Sequence, residues 1–225
     1  MRTLIVLLLL ASPAFADYPY DAVGNVSAGG SGTMVYVDGD YGLVVTSAHV
    51  VATVSETNVT WSGKKRLCKT VFVDYENDIA ILLCRNPPVK AVPYREPVGN
   101  FIVSTGYPYY SRSALHWQAS IALRMEGSVM WVTHRPVAGM SGGGAFDFGG
   151  YFIGIVRSHN QTDGGIVAGE SLTEVMEKYK DSKTWLPSAV HVQVPQDYDF
   201  SPQDGHVRSI RYSVDTAPEL PWPGK

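Results

Sequence analysis

"AGMSGGGAF", residues 138–146, sets a single serine among four glycines, with a methionine directly in front of it. Three readings compete for it. It can be a flexible loop that happens to contain a serine. It can be a glycine turn that holds the Ser141 hydroxyl out as a nucleophile, in either of two unrelated architectures, because Gly139-Met140-Ser141-Gly142-Gly143 also fits the pattern G-x-S-x-G. The choice fixes the fold, and it depends on what lies upstream.

Working outward, the chain from Gly29 to Val167 is a succession of short apolar runs separated by turn residues, the mark of an all-β sandwich or barrel. "TMVYVDGDYGLVVTS" reads as a hairpin turning at Asp38-Gly39-Asp40. "NVTW", "KTVFVDY", "IAILLC", "FIVSTGY", "WQASIALRM", "SVMWVTH", "GAFDF", "YFIGIVRS" and "GIVAG" follow as further strands. Helical periodicity enters only at Ser171-Leu172-Thr173-Glu174, a capping box followed by Leu172, Val175, Met176 and Tyr179 at helical spacing. The sequence predicts one helix there, closing the β domain.

Two other islands accompany Ser141. "VVTSAHVV" puts His49 just after an apolar strand, and "DYENDIAIL" puts Asp78 at the mouth of another. Acyl transfer by a hydroxyl needs an imidazole to take its proton and a buried carboxylate to fix the imidazole tautomer. Singly, each residue has an ordinary structural reading: a histidine satisfied at a strand end, an Asn77-Asp78 tight turn, a glycine loop. The order His, Asp, Ser is what discriminates. A hydrolase of alternating strands and helices runs Ser, acid, His, and this chain has its histidine island first and almost no helix.

Together the three islands resemble the boxes of the chymotrypsin-fold, trypsin-like serine proteases. Thr46-Ser47-Ala48-His49 is similar to their T-A-A-H box, Asn77-Asp78-Ile79-Ala80-Ile81-Leu82 to D-I-A-L-L, and Gly139-x-Ser141-Gly142-Gly143 to G-x-S-G-G. The predicted helix in "GESLTEVMEKY" falls where bacterial proteases of the high-temperature-requirement type close their second barrel. The resemblance covers about residues 29 to 180. It implies an all-β fold of two packed six-stranded Greek-key barrels with one C-terminal helix and the active site between the barrels. It implies a serine endopeptidase acting on polypeptides, with His49 as general base, Asp78 orienting it and Ser141 attacking. The N–H groups of Gly139 and Ser141 would form the oxyanion hole. No cofactor or metal is implied. The alternative function is a binding protein that keeps the boxes and has lost turnover.

The departures from the family concern activation and specificity. Met140 stands where digestive relatives carry an Asp that pairs with a freed amino terminus, so activation by such a pair is not expected. The resemblance places Arg135 at the base of the primary pocket, with no Asp there to attract Lys or Arg. Arg135 either favours acidic side chains or points to solvent, and the cost of an unpaired buried charge favours solvent. The run Ile155-Val156-Arg157-Ser158-His159 would offer the substrate backbone an edge to pair with. Arg157 falls where the family commonly has a small residue. His134 and His159 lack the cysteine or carboxylate neighbours at ligand spacing that a metal site needs.

The remaining sequence sets the compartment. Residues 1–16 run from Arg2 through the apolar stretch Leu4 to Leu10 to an Ala14-Phe15-Ala16 end, the pattern of a secretory signal and too short to span a membrane. The mature chain is expected to span a protease domain over residues 17–180 and to be secreted or periplasmic, with no membrane attachment after cleavage. Cys68 and Cys84 lie symmetrically about residue 76, on strands expected to fold back on each other. In an exported chain that arrangement favours a disulfide over two buried thiols. Residues 181–225 carry six of the fourteen prolines and read as an extension in which no peptide-binding PDZ domain fits. Lys and Arg number 18 against 21 for Asp and Glu, with no basic run, so nucleic acid is not an expected partner.

Overall fold

The computed structural model describes residues 19–75, 77–127, 129–157, 164–168 and 192–193. The predicted helix after Ser171 lies outside them, as does residues 1–16 and most of the extension after 181.

Twelve strands close into two barrels. The first consists of β1 (Val23–Val26), β2 (Gly30–Asp38), β3 (Tyr41–Thr46), β4 (Glu56–Trp61), β5 (Lys64–Asp74) and β6 (Ile79–Arg85). The second consists of β7 (Phe101–Gly106), β8 (His116–Glu126), β9 (Val129–Val132), β10 (Gly144–Asp147), β11 (Phe152–Arg157) and β12 (Gly164–Ala168). A short parallel strand, β13 (Val192–Gln193), adds Val192 beside Val73 of β5. One short helix, α1 (Ala48–Val51), follows β3.

The ring order of the first barrel is β1-β2-β3-β6-β5-β4, and that of the second is β7-β8-β9-β12-β11-β10. Adding six to each strand number converts one ring into the other. The two halves therefore share one Greek-key topology with no repeat visible in the sequence.

Alternation explains why these segments settle as half-buried strands. In β4, Thr57, Val59 and Trp61 are buried while Glu56, Asn58 and Thr60 are not, the period-two pattern of a sheet with one dry face. β6 is different: Ile79 to Leu82 are all buried, because one face fills the barrel and the other is covered. Phe146 and Phe152 of the second barrel join the core of the first, with their rings 6.1 Å apart in an edge-to-face arrangement. A smaller core of Ile102, Met130, Val132, Ala145, Ile153 and Ile166 fills the second barrel.

β1 is the strand that the sequence pattern does not announce. Its "VGNV" contains Gly24 and Asn25, both poor strand formers, yet it pairs with β2 and β4 at once. A side chain at Gly24 would drive into the Trp61 ring. Packing, not propensity, makes this strand.

The cysteines occupy directly opposed positions: Cys68 of β5 pairs with Cys84 of β6, and they form a disulfide. Their Cα atoms are 4.3 Å apart, the spacing of opposed residues whose side chains approach most closely in an antiparallel pair.

Candidate active site

The register of β3 against β6 sets the first half of the site. Thr46 at the end of β3 faces Ala80 near the start of β6, so the residues just after β3 meet the residues just before β6. α1 begins there, and the turn carrying Asp78 lies against its first residues. Asp74 shapes that turn by accepting hydrogen bonds from the Asn77 backbone N–H at 3.1 Å and from Asn77 Nδ2 at 2.8 Å. Asp78 itself sits at φ 57°, in the left-handed region that aspartate tolerates better than most residues.

The strained turn aims one residue at α1 in two ways. The Asp78 carbonyl accepts the Ala48 N–H at 3.1 Å, and its carboxylate Oδ1 accepts the His49 N–H at 3.0 Å. Two helix N–H groups that α1 cannot satisfy internally are thereby paired. The same carboxylate meets the His49 ring, with Nδ1 3.0 Å from Oδ1 and 2.9 Å from Oδ2. Burial pushes the Asp78 carboxyl up. The attraction of His49, its hydrogen bonds and the charge of Arg157 outweigh burial, and the net effect holds the group below the ordinary value of 3.8. An ionised carboxylate only accepts, so His49 Nδ1 donates to it and Nε2 is left as the acceptor.

Ser141 occupies the turn before β10 and is buried. Its loop is bound to the first barrel through Ser31 of β2. The Ser31 N–H donates to the Ser141 carbonyl at 2.8 Å. The Ser31 hydroxyl donates to the Gly139 carbonyl at 2.9 Å and accepts the Tyr107 N–H at 2.8 Å. Gly142 donates to the Val156 carbonyl at 2.7 Å, and Ser47 Oγ donates to the same oxygen at 3.3 Å. Among the described residues Ser141 Oγ makes no hydrogen bond.

The loop also orients two amides. The Ala138 carbonyl accepts from Tyr109 N–H at 2.9 Å, and the Met140 carbonyl accepts from Gly143 N–H at 2.9 Å. A trans peptide points its C=O and N–H in opposite directions. The N–H groups of Gly139 and Ser141 therefore point away from those contacts, and neither donates a backbone hydrogen bond among the described residues. Glycine is required at 139, where φ is 95° and a Cβ would come within 2.6 Å of Tyr109 N and 2.7 Å of the Tyr107 carbonyl oxygen. At Gly142 a Cβ would press into the Ser31 carbonyl oxygen and Thr46 Oγ1.

The other sequence-derived candidates fall in different places. Arg135 is exposed, next to the buried Pro136. Arg157 ends β11 with only 18% of its side chain exposed, and its Nε lies 3.4 Å from Asp78 Oδ2. Ser158 and His159 lie outside the described residues. Met140 is fully buried. Sequence reasoning overlooked Ser31, whose only signal is the run Gly30-Ser31-Gly32, small residues in a strand where another backbone approaches closely.

The profile of a trypsin-like peptidase domain matches residues 30–155. No curated protein matches the chain. Among solved structures, a serine endoprotease from Yersinia pestis superposes with a TM-score of 0.65 at 22% identity, over 76% of this chain and 67% of that one. The HtrA-type protease AlgW, crystallised with a tripeptide, gives 0.62 at 20% identity over 76% of this chain and 63% of its own. With a decapeptide, AlgW matches over 51% of its length, so the chain spans about half to two thirds of these structures. Rv3671c from M. tuberculosis H37Rv, in an inactive form, gives 0.63 at 22% identity over 78% of this chain and 94% of its own.

Proposed function

The chain belongs to the trypsin-like peptidase domain family, and from that premise we propose that it hydrolyses peptide bonds within polypeptides through Ser141, His49 and Asp78. Ser141 Oγ attacks the scissile carbonyl carbon while His49 Nε2 takes its proton. The oxygen of that carbonyl gains negative charge, which the N–H groups of Gly139 and Ser141 stabilise. His49 then gives its proton to the leaving amine as the C–N bond breaks, leaving an acyl ester on Ser141. Water repeats the sequence: His49 takes one of its protons, its oxygen displaces Ser141, and the hydroxyl is restored. Asp78 holds the imidazole in the required tautomer and stabilises its charged form. The substrate chain would lie beside the end of β11, at Arg157, and the exposed Arg135 is a second candidate contact.

One observation carries the reading: a doubly hydrogen-bonded His49–Asp78 pair stands at the junction where Ser31 fastens a serine loop with two undonated amides. We assign the mature protein to an extracytoplasmic compartment, on the leader pattern of residues 1–16 and the Cys68–Cys84 disulfide.

The test is to label exported, folded protein with a fluorophosphonate, which bonds only to an activated serine. Mass spectrometry should place the probe on Ser141 of a chain starting near Asp17. Ser141→Ala and His49→Ala should lose the label and peptide hydrolysis, while keeping the parent's unfolding midpoint to within a few degrees. A folded parent chain that takes no label would establish the binding-protein alternative.

A further inference from the structure

Four side-chain polar atoms among the described residues are buried without a hydrogen-bond partner. Three of them belong to one wall of the second barrel: Ser104 Oγ, Gln118 Oε1 and Ser120 Oγ. Ser104 is 1% exposed and Ser120 3%. Register places the three together, because Ser104 of β7 lies opposite Gln118 of β8 and Ile102 lies opposite Ser120. Alternation along the strands fixes the face. Ile102 and Ala122 pack in the second-barrel core, whereas Trp117, Ile121 and Leu123 of β8 are exposed. Ser104, Gln118 and Ser120 share the parity of Ile102 and Ala122, so they point into the barrel.

This wall adjoins the serine loop. Ser104 also pairs with Ala145 of β10, the strand that leads away from Ser141. β7 ends at Gly106, where a Cβ would come within 2.7 Å of Met140 Cα. Only two strand residues, about 7 Å, separate that approach from Ser104. The buried carboxylate of this barrel, Asp147, stands at the far end of β10. It is committed to Arg95 and to the N–H groups of Gly149 and Tyr151.

We propose that Ser104, Gln118 and Ser120 select peptides that carry an uncharged amide side chain, glutamine or asparagine, on the residue contributing the scissile carbonyl. This rests on the reading of Ser141 as the nucleophile and adds the class of peptide it cuts.

The argument is one of unmet hydrogen bonds. A buried polar group without a partner costs stability, so a ligand that supplies the partner is rewarded. Gln118 Oε1 only accepts, and a carboxamide offers it an N–H; the serine hydroxyls can donate to the carboxamide oxygen. An alkyl side chain would leave all three groups unpaired. An ammonium, guanidinium or carboxylate would bring a charge that no opposite charge on this wall offsets. Sites built to hydrogen-bond a substrate group reject analogues that lack it.

Two measurements on the full exported chain test this. Peptides identical except at the residue before the cut should give the highest kcat/KM with Gln or Asn, above Leu, Lys and Glu. Joint Ser104→Ala and Ser120→Ala should remove about tenfold or more of that advantage. Leu-peptide turnover and fluorophosphonate labelling should stay near the parent's, and the unfolding midpoint should not fall, since no hydrogen bond within the protein is lost. Gln118→Leu serves as a second variant should the double one not fold. A parent preference for Leu, Lys or Glu overturns the proposal. So does an unchanged preference in a folded variant, which would make these groups partners of internal water. The second measurement needs no turnover: calorimetric binding of peptides ending in Gln, Leu, Lys or Glu to Ser141→Ala. Tighter binding of the Gln peptide is expected, and equal binding, or none, overturns the proposal. Selective binding of that peptide by a chain whose parent takes no fluorophosphonate would instead overturn the catalytic reading and leave the amide selectivity standing.

Discussion

At the scale of the residue, Asp78 carries several duties on one side chain. It accepts the His49 N–H, orients the His49 ring and faces the Arg157 guanidinium, while its backbone carbonyl accepts the Ala48 N–H. Substitution by Asn keeps the size and loses the charge. The amide would present a donor or a neutral acceptor to His49 Nδ1, so the proton that must sit there is no longer held. Asp78→Asn should lower kcat by about 10⁴-fold, the magnitude seen when the orienting acid of such a triad is neutralised. Steady-state kinetics with circular dichroism as a folding control checks this. A loss below tenfold would mean that Asp78 does not orient the base.

At the scale of the element, the loop from Ala138 to Gly143 is held by the chain itself. Met140 is fully buried and cannot pair with an ammonium, and the Ser31 hydroxyl fixes the Gly139 carbonyl. β2 thereby fixes the loop that carries Ser141 through Ser31. Ser31→Ala leaves the Tyr107 N–H and the Gly139 carbonyl without their buried partner, at a cost of about 1–3 kcal/mol. Activity should fall by less than the 10²–10³-fold typical of deleting an oxyanion donor outright, with kcat reduced and KM little changed. Adding two or three residues before Asp17 should leave the rate as it was. Urea unfolding and kinetics on the two variants check both outcomes. A sharp dependence on a trimmed amino terminus would show that the loop is held by something other than Ser31.

At the scale of the whole molecule, the site exists only where the two barrels meet. His49 and Asp78 come from the first barrel, Ser141 and Arg157 from the second, and Ser31 links them. The disulfide lies in the same pair of strands that carries the Asp78 turn. Its two cysteines are 16 positions apart, and closing a loop of that size stabilises the fold by about 3 kcal/mol in the chain-entropy picture. Reduction should lower the thermal midpoint by several degrees, and near the reduced midpoint fluorophosphonate labelling should fail together with folding. Scanning calorimetry with and without a reductant, beside labelling over the same temperatures, tests it. An unchanged midpoint would mean that the β5–β6 pair is held without the bridge.

Much of this was already written in the chain. Short alternating apolar runs dictate strands locally, so the eleven strands from β2 to β12 are recognisable from Gly29 to Val167. The order of His49, Asp78 and Ser141 rejects the rival hydrolase architecture, and the symmetric placement of Cys68 and Cys84 about a turn suggests their pairing. These features are legible because each depends on near neighbours in sequence or on residue type. What tertiary structure alone decided is of another kind. β1 is a strand because β2, β4 and Trp61 make it one, against its own composition. The role of Ser31 arises from contact with Gly139, 108 positions away, and nothing local marks it beyond two flanking glycines. Arg157 reads in sequence as a substrate-side substitution, and only the packing of β11 against the other barrel brings its charge to Asp78. Ring closure and charge pairing across barrels are properties of distance in space, which local pattern does not encode.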